Sequence, residues 1–279
     1  VKADGLAAGK GVVVAMTVEE ANAAVEDMLS GNRFGDAGST VVIEEFMEGE
    51  EASLLAFVDG KTVVPMIASQ DHKRIFDGDK GPNTGGMGTY APAPVLTDAL
   101  RDEAMKTILE PMVAAMQKEG MPYVGCLYAG LMITPQGPKV VEFNARFGDP
   151  ETQVVLPLLD SDLGQIMMAC ATGTLTADMV KWKDSSAACV ILASKGYPET
   201  SSKGDVIHGD IKQHDTTIVF HSGTKLVGEE YVTNGGRVLG VVGLGKDLRT
   251  ALDRAYGRIE HIDFEGMQYR TDIGAKAFK

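Results

Sequence analysis

Residues 124–143 have the pattern of an antiparallel β-hairpin: an apolar strand, a turn containing proline and glycine, and a valine-rich return strand. Because side chains alternate along a strand, Val141 and Phe143 are expected to point to the core. Glu142 and Asn144 then emerge together on the opposite face. The pattern therefore predicts two oxygen donors side by side at the end of a sheet strand.

This donor pair is typical of a magnesium site. Mg²⁺ prefers hard oxygen ligands, needs only one or two carboxylates, and shares its coordination shell with water and nucleotide phosphates. Arg146 follows two residues after Asn144, and its planar fork matches a phosphate or acyl phosphate. Alternatively, Glu142 and Arg146 pair on the surface, but that arrangement gives Asn144 and the turn at 148–150 no role.

A glycine-rich loop lies near the start of the chain, and its glycines and lysines are Lys2, Gly5, Gly9, Lys10 and Gly11. Backbone N–H groups without neighbouring side chains can converge on an anion, and the two lysines add positive charge. The loop is not a Walker loop, because glycine rather than serine or threonine follows Lys10. The alternative is a solvent-exposed turn between strands.

Two further segments have functional and structural interpretations. Residues 42–51 form a strand that runs into an acidic turn, which is either a solvated edge or an adenosine site. In the adenosine site, backbone groups near Met47 pair with the base and a carboxylate accepts the ribose hydroxyls. Residues 70–88 lack periodicity, and a long loop of this kind is typically functional, although a surface loop is the alternative. His72 lacks a second ligand nearby and is not predicted to bind metal.

Secondary-structure signals divide the chain near residue 184. Helices are predicted at 17–30, 97–120 and 161–174, with a kink at Pro111, and early strands at 11–15 and 40–46. After a polar junction come short strands at 187–193, 205–211, 216–221 and 236–243, followed by a helix. These residues form a separate, strand-rich module.

Composition excludes several classes of protein. The net charge of −13 repels nucleic-acid backbones and anionic lipid surfaces, and no apolar run approaches the roughly 20 residues that span a bilayer. We therefore expect neither a nucleic-acid partner nor a membrane partner. The cysteines Cys126, Cys170 and Cys189 lie in apolar stretches, which suits buried thiols in a reducing compartment, and we expect a cytoplasmic protein.

Four motifs in order resemble the phosphoribosylamine–glycine ligase family of the ATP-grasp superfamily; they are residues 2–11, 70–74, 81–88 and 146–151. The resemblance extends over essentially the whole chain, including residues 204–209. It implies that ATP phosphorylates the carboxylate of glycine and that the amine of 5-phosphoribosylamine attacks the acyl phosphate. The products are glycinamide ribonucleotide, ADP and phosphate, in purine biosynthesis.

The resemblance also implies roles for individual residues. ATP binding falls to Lys2, Gly5, Ala8, Gly9, Lys10, Gly11, Glu44, Glu45, Met47 and Glu51. Substrate binding falls to Asp71, Lys73, Arg74, Asn83, Gly86, Arg146 and Asp149, of which Arg146 and Asp149 are also expected to be catalytic. Glu142 and Asn144 match the metal pair, which would hold Mg²⁺ or Mn²⁺. No cysteine or histidine is required.

The implied fold is of the α/β (α+β) class. An ATP-grasp core would comprise a partial small subdomain at 1–60 and a larger antiparallel-sheet subdomain at 61–183, followed by a strand-rich domain at 184–279. Family members carry further residues before the position of Lys2, so the resemblance implies the carboxyl-terminal two-thirds of a longer protein. We expect a monomer or weak oligomer.

Two other interpretations remain open at this point. One is that the protein is another ATP-grasp carboxylate–amine ligase of purine metabolism, which would be distinguished by the acid and amine that support ADP release. A shortened ATP-grasp core could also bind ATP without turning it over.

Overall fold

The computed structural model describes residues 1–5, 7, 11–30 and 35–278. Contacts between Cα atoms divide the chain into two compact units, Val1–Glu48 and Gly49–Lys279. The fold is mixed α/β with antiparallel sheets, as predicted, and both of the larger sheets belong to the second unit.

In the first unit, helix α1 spans Val18–Leu29, which confirms the helix predicted from its capping signal. The hydroxyl of Thr17 accepts a hydrogen bond from the backbone N–H of Glu20 at 3.2 Å. The Glu20 carboxylate in turn accepts one from the backbone N–H of Met16 at 2.7 Å. The first bond satisfies an N–H donor that a helix start leaves without a partner, and the second ties the residue before the N-cap to the first turn.

The strands of the first unit are shorter than the sequence predicts. Strand β1, Lys2–Ala3, pairs antiparallel with β2, Val41–Val42. Within 11–15 the described ladder is limited to an isolated bridge between Val12 and Lys2. The extents predicted for both early strands are therefore wrong, because valine-rich composition alone does not supply a pairing partner along the full segment.

A four-stranded antiparallel sheet lies in the second unit. Its strands are β3 (Glu50–Asp59), β4 (Val63–Pro65), β9 (Val124–Thr134) and β10 (Gly137–Asn144). They are ordered β10-β9-β3-β4, so β9 and β10 confirm the predicted hairpin. One face packs on a core that includes Leu54 and Leu131. The other face buries Phe57 and Tyr128 at one end and carries polar side chains toward the other.

A β-bulge interrupts the hairpin where the register shifts between Val140 and Glu142. Val140 and Phe143 pack against the core, and Val141 is the extra residue. The prediction that Val141 faces the core is therefore wrong. The bulge resets the alternation of side chains, so that Glu142 and Asn144 share the opposite face of the sheet from Phe143, as predicted.

A second sheet has five strands: β5 (Gln70–Asp71), β8 (Gly88–Ala91), β11 (Ser186–Ala193), β13 (Thr217–His221) and β16 (Arg237–Gly245). Their order is β13-β16-β11-β8-β5. Helix α6, Leu248–Ile259, packs against β16. This sheet combines strands from both sides of residue 184, and the division at residues 60 and 183 stays a prediction.

The helix predicted over 97–120 has three parts: α2 at Asp98–Ala104, a π-helical segment at Met105–Leu109 and α3 at Glu110–Lys118. Pro111 lies in the first turn of α3. The π-helical segment, an irregularity that the sequence did not predict, directly precedes α3. The kink at Pro111 itself stays a prediction. Shorter helices follow β10, namely α4 at Thr152–Val155 and α5 at Leu163–Thr172.

The remaining strands form two-stranded ladders: β6 (Arg74–Phe76) with β7 (Lys80–Asn83), β12 (His208–Gly209) with β17 (Ile262–Asp263), and β14 (Thr224–Val227) with β15 (Glu230–Thr233). The segment 70–88 is thus partly a hairpin, which corrects the prediction of a loop without structure. The strand predicted at 205–211 is limited to β12, because its ladder with β17 joins just two residue pairs.

Arg270 ties the β6–β7 hairpin to the end of the second unit. Its side chain is 1% exposed and donates to both oxygens of Asp272 at 2.7 Å. It also donates to Asp79 at 2.8 Å and to the carbonyl oxygen of Arg74 at 3.1 Å. Lys276 forms a second ion pair with Asp79 at 2.7 Å. The hairpin is therefore held by a charged network in addition to the small apolar cluster that Ile75 forms with Met87 and Ala193.

Over the described ranges, no helix has the length and apolarity required to cross a membrane. Cys126, Cys170 and Cys189 are free and buried, which confirms the prediction of buried thiols.

Candidate functional site

Glu142 and Asn144 lie side by side at the end of β10. The amide nitrogen of Asn144 donates to Glu142 Oε1 at 3.0 Å. Opposite them on β9 are Gly130 and Tyr128, and a Cβ on Gly130 would come 3.3 Å from Glu142 Cγ. The glycine therefore leaves room for the Glu142 side chain on this face of the sheet.

These two side chains fit a magnesium ion through their chemistry. One carboxylate and one amide oxygen are hard donors on neighbouring positions of a single face, which suits an ion that keeps most of its shell for water and phosphate. Among the described residues, no group of three or more histidine, cysteine, aspartate or glutamate side chains could hold a metal.

Arg146 and Asp149 belong to the turn that follows β10. The guanidinium of Arg146 is exposed and donates to the carbonyl oxygen of Phe147 at 3.0 Å. Both oxygens of the Asp149 carboxylate accept hydrogen bonds from Arg237, at 3.3 and 2.8 Å. Gln153 adds a further bond to Asp149 Oδ1 at 2.8 Å. Arg237 is a partner that sequence reasoning missed, because it lies on β16, far along the chain.

Gly86 packs against the same turn. Its φ is +111°, a conformation that favours glycine, and a Cβ there would come 2.5 Å from Pro150 Cδ. The preceding residue, Gly85, donates its N–H to the Tyr197 hydroxyl at 2.9 Å and accepts from Arg237 at 2.8 Å. The structure therefore brings predicted substrate residues Gly86 and Asp149 together.

Lys73 joins two other predicted residues. Its ammonium lies 2.9 Å from Asp71 Oδ2 and 3.3 Å from Glu51 Oε2. Burial disfavours the charged amine, but these two carboxylates outweigh it and raise the pKa of Lys73. The lysine is therefore a fixed positive charge at neutral pH, held beside the start of β3.

Glu151 adds a buried carboxylate that sequence reasoning did not assign. It is 4% exposed and accepts from Tyr128 at 2.9 Å and from Ser53 at 3.2 Å. Burial and the negative charge of Asp71 raise the pKa of Glu151. The sequence signal for Glu151 was its position at the end of the 146–151 motif. Its hydrogen-bond partners lie on β3 and β9, which the motif does not indicate.

Arg74 and Asn83 form a cross-strand pair in the β6–β7 hairpin. Arg74 donates to the carbonyl oxygen of Gly81 at 2.6 Å, so this bond stays within the hairpin. Their substrate roles stay predictions. The neighbouring His72 is 1% exposed, and burial with the positive charge of Arg270 lowers its pKa to about 4. Its imidazole is therefore neutral at pH 7.

The residues predicted to bind the nucleotide lie largely in the first unit. Lys2 forms an ion pair with Glu44 at 2.8 Å. Gly5 donates its N–H to Ala37 O at 2.9 Å, and a Cβ there would come 2.5 Å from Ala37 Cα.

The remaining nucleotide predictions concern three described and three undescribed positions. The oxygen of Gly11 accepts from Ala3 at 2.8 Å. Glu45 is exposed, and Met47 is partly buried. Predictions for Ala8, Gly9 and Lys10 lie outside the described residues.

Comparisons with known proteins identify the family. Residues 1–152 match the phosphoribosylglycinamide synthetase ATP-grasp (A) domain, and residues 187–276 match the phosphoribosylglycinamide synthetase C domain. The chain is 57% identical to the phosphoribosylamine–glycine ligase of Caulobacter vibrioides, over 100% of this chain and 66% of the relative. It thus spans about two-thirds of that protein's length.

Solved structures agree with this relationship. The crystal structure of Thermotoga maritima phosphoribosylamine–glycine ligase superposes with a TM-score of 0.87 at 35% identity, over 98% of this chain and 68% of that chain. The biotin carboxylase domain of Hydrogenobacter thermophilus 2-oxoglutarate carboxylase, in complex with MgADP and bicarbonate, superposes with a TM-score of 0.65 at 14% identity. That match covers 90% of this chain and 53% of the other, and it shows the fold alone. On these matches, the chain belongs to the phosphoribosylglycinamide synthetase family.

Proposed function

We propose that the protein carrying this chain ligates glycine to 5-phosphoribosylamine at the expense of ATP. The reaction passes through glycyl phosphate and yields glycinamide ribonucleotide, ADP and phosphate. The observation that carries the proposal is the Glu142–Asn144 pair followed directly by the Arg146–Asp149 turn. The name of the Caulobacter vibrioides relative, at 57% identity over the whole chain, supports the choice of substrates.

The first step joins a carboxylate to a phosphoryl group, and both are anions. A bond forms between a glycine carboxylate oxygen and the γ-phosphorus of ATP, while the bond from that phosphorus to ADP breaks. Such transfer depends on positioning and charge neutralisation rather than on a protein nucleophile. The exposed fork of Arg146 would bind the transferring phosphoryl group. The charged Lys73 supplies a second positive group in the same unit.

Glu142 and Asn144 would hold the divalent cation, Mg²⁺ or Mn²⁺. When bound, the cation would neutralise phosphate oxygens of ATP. Alternation along β10 places both side chains on one face, and the bulge at Val141 makes that the face opposite the core. Gly130 leaves room on this face beside Glu142. The proposed roles of Lys2, Glu44, Glu45, Met47 and Glu51 are to bind the nucleotide.

In the second step the amine of 5-phosphoribosylamine attacks the carbonyl carbon of glycyl phosphate. A carbon–nitrogen bond forms, the carbon–oxygen bond to phosphate breaks, and the amine loses a proton. Asp71, Asn83, Gly86 and Asp149 are the residues we assign to the two small substrates. A protein interior that excludes water at this stage would protect the acyl phosphate from hydrolysis.

Glycine-dependent ADP formation tests the proposal. It should be measured with 5-phosphoribosylamine for this chain and for the chain completed to the length of the Caulobacter vibrioides relative, which we call the extended protein. We expect turnover by the extended protein. ATP binding without turnover by this chain alone would assign the non-catalytic interpretation to the chain. ADP release by the extended protein with a different acid or amine, and none with glycine, would contradict the proposal.

Arg146→Lys in the extended protein should lower kcat between about 10- and 100-fold. Lysine keeps the charge but cannot make two parallel hydrogen bonds to a phosphoryl group, and a charge-assisted bond is worth roughly 1.5–3 kcal/mol. Steady-state kinetics of ADP formation measure the effect. Arg101→Lys is the matched control, because Arg101 pairs with Asp98 and Asp102 on an exposed helix face. Parental kinetics for Arg146→Lys would assign Arg146 to the surface.

A further inference from the structure

We infer that Arg237 is a positioning residue for the proposed reaction. It holds the turn that carries Asp149 and the loop at Gly85 and Gly86 in one arrangement, beside the proposed site of phosphoryl transfer. This inference rests on the proposed function for its kinetic consequences. It assigns the strand-rich end of the chain a direct part in shaping that site.

The contacts of Arg237 form a clamp. Its Nη2 donates to Asp149 Oδ2 at 2.8 Å. Its Nη1 is shared among the Gly85 carbonyl oxygen at 2.8 Å, the Asp149 carbonyl oxygen at 3.2 Å and Asp149 Oδ1 at 3.3 Å. One planar group therefore contacts the side chain and backbone of the turn and the backbone of the loop. A point charge on a flexible stem cannot reproduce this geometry.

The loop is enclosed on two sides. On one side, Gly85 lies so close to Arg237 that a Cβ would come 3.0 Å from its Cζ, and Gly85 also donates to the Tyr197 hydroxyl at 2.9 Å. On the other side, a Cβ on Gly86 would come 2.5 Å from Pro150. The tyrosine ring in turn packs on Gly236, the residue before Arg237. Moving the arginine would therefore release the loop and the turn together.

The clamp is better suited to positioning than to holding the fold together. The Arg237 and Asp149 side chains are 20% and 47% exposed, and ion pairs with such access to water add little to stability. The strand behind Arg237 is held independently, since Val238, Leu239 and Val241 are fully buried. Both Asp149 oxygens accept bonds from the chain's own side chains. The carboxylate is thus oriented before any substrate arrives.

Arg237→Gln in the extended protein should lower kcat for glycine-dependent ADP formation about 10- to 100-fold, because small displacements in a transfer site are costly. The KM for ATP and the thermal midpoint should stay near the parental values. Arg237→Lys should recover only part of the rate. Arg237→Gln combined with Asp149→Asn should lose less than the product of the two single losses, since both changes remove the Arg237–Asp149 ion pair, while Arg237→Gln also removes the bond to the Gly85 carbonyl oxygen. Parental kcat in Arg237→Gln, or fully additive losses, would overturn the inference.

Hydrogen–deuterium exchange provides a readout that does not depend on activity. In Arg237→Gln, amide exchange should rise at residues 84–88 and 146–151. Arg249→Gln is the control, because Arg249 lies over the ring of Phe278 at 4.5 Å and should leave exchange in both segments unchanged. Unchanged exchange in Arg237→Gln would overturn the inference. An inactive parental protein whose Arg237→Gln variant still shows the rise would contradict the proposed function and retain the clamp.

Discussion

Glu142→Ala in the extended protein is expected to lower kcat by at least about 100-fold while the fold survives. Residues that merely orient metal ligands commonly affect metal affinity or activity by 10–100-fold, so the loss of a ligand should cost at least that much. After the substitution, the amide oxygen of Asn144 is what remains of the proposed pair of metal ligands. The side chain lies on the exposed face of β10, so its removal opens no cavity in the core.

Metal binding and turnover must both be measured for this variant. Titration with Mn²⁺ in the presence of ATP should give a weaker Kd, and raising the concentration of Mg²⁺ should recover part of the rate. The matched control is Glu119→Ala, an exposed glutamate at the end of α3. It should keep parental Kd and kcat. A Glu142→Ala variant with parental values of both would remove the metal assignment.

Local signals in the sequence predicted the features that depend on neighbouring residues. Thr17 and Glu20 marked the start of α1, because helix caps act over three or four positions. The apolar run and turn at 124–143 predicted the β9–β10 hairpin, because a hairpin also joins segments that are close together in the sequence. The pairing of Glu142 with Asn144 followed from alternation over two positions, and the structure places their side chains 3.0 Å apart.

Sequence periodicity failed where register or distant partners decide the structure. Because of the bulge, Val140 packs against the core instead of Val141. No local pattern predicts one extra residue in a ladder. Arg237 reaches Asp149 across 88 positions, and Glu151 reaches Ser53 across 98. Such contacts depend on the order of strands in the sheets. A single sequence shows the residue types but not which of them meet.

Arg270→Met is expected to lower the free energy of unfolding of the second unit by about 3 kcal/mol. Breaking a buried ion pair by removing one partner typically costs 3–5 kcal/mol, because the other charge is left without compensation. The lower end applies here, since Asp79 keeps its ion pair with Lys276 and both Asp79 and Asp272 retain some access to water. The thermal midpoint should fall by about 6 °C or more.

The same variant makes a prediction about pH. Burial alone would raise the pKa of the Asp272 carboxyl, but the hydrogen bonds from Arg270 outweigh it and hold that pKa well below its usual range. A depressed pKa in the folded state stabilises the protein above the unfolded pKa of about 3.9, and that contribution is lost as the pH falls toward the folded value. The difference in the free energy of unfolding between the parent and Arg270→Met should therefore have its full value at pH 7 and should decrease below about pH 4.

Urea unfolding of the parent and the variant at pH 7 and at successively lower pH measures this difference. The control is Arg249→Met, which removes an arginine that makes a cation–π contact instead of a buried carboxylate pair. Its smaller effect should depend on pH far less, because the ring of Phe278 does not titrate and the carboxylate that Arg249 influences, Asp247, is exposed. If the difference for Arg270→Met stayed constant down to pH 3, its source would be lost packing of the side chain. The paired charges would then contribute little to holding the β6–β7 hairpin in place.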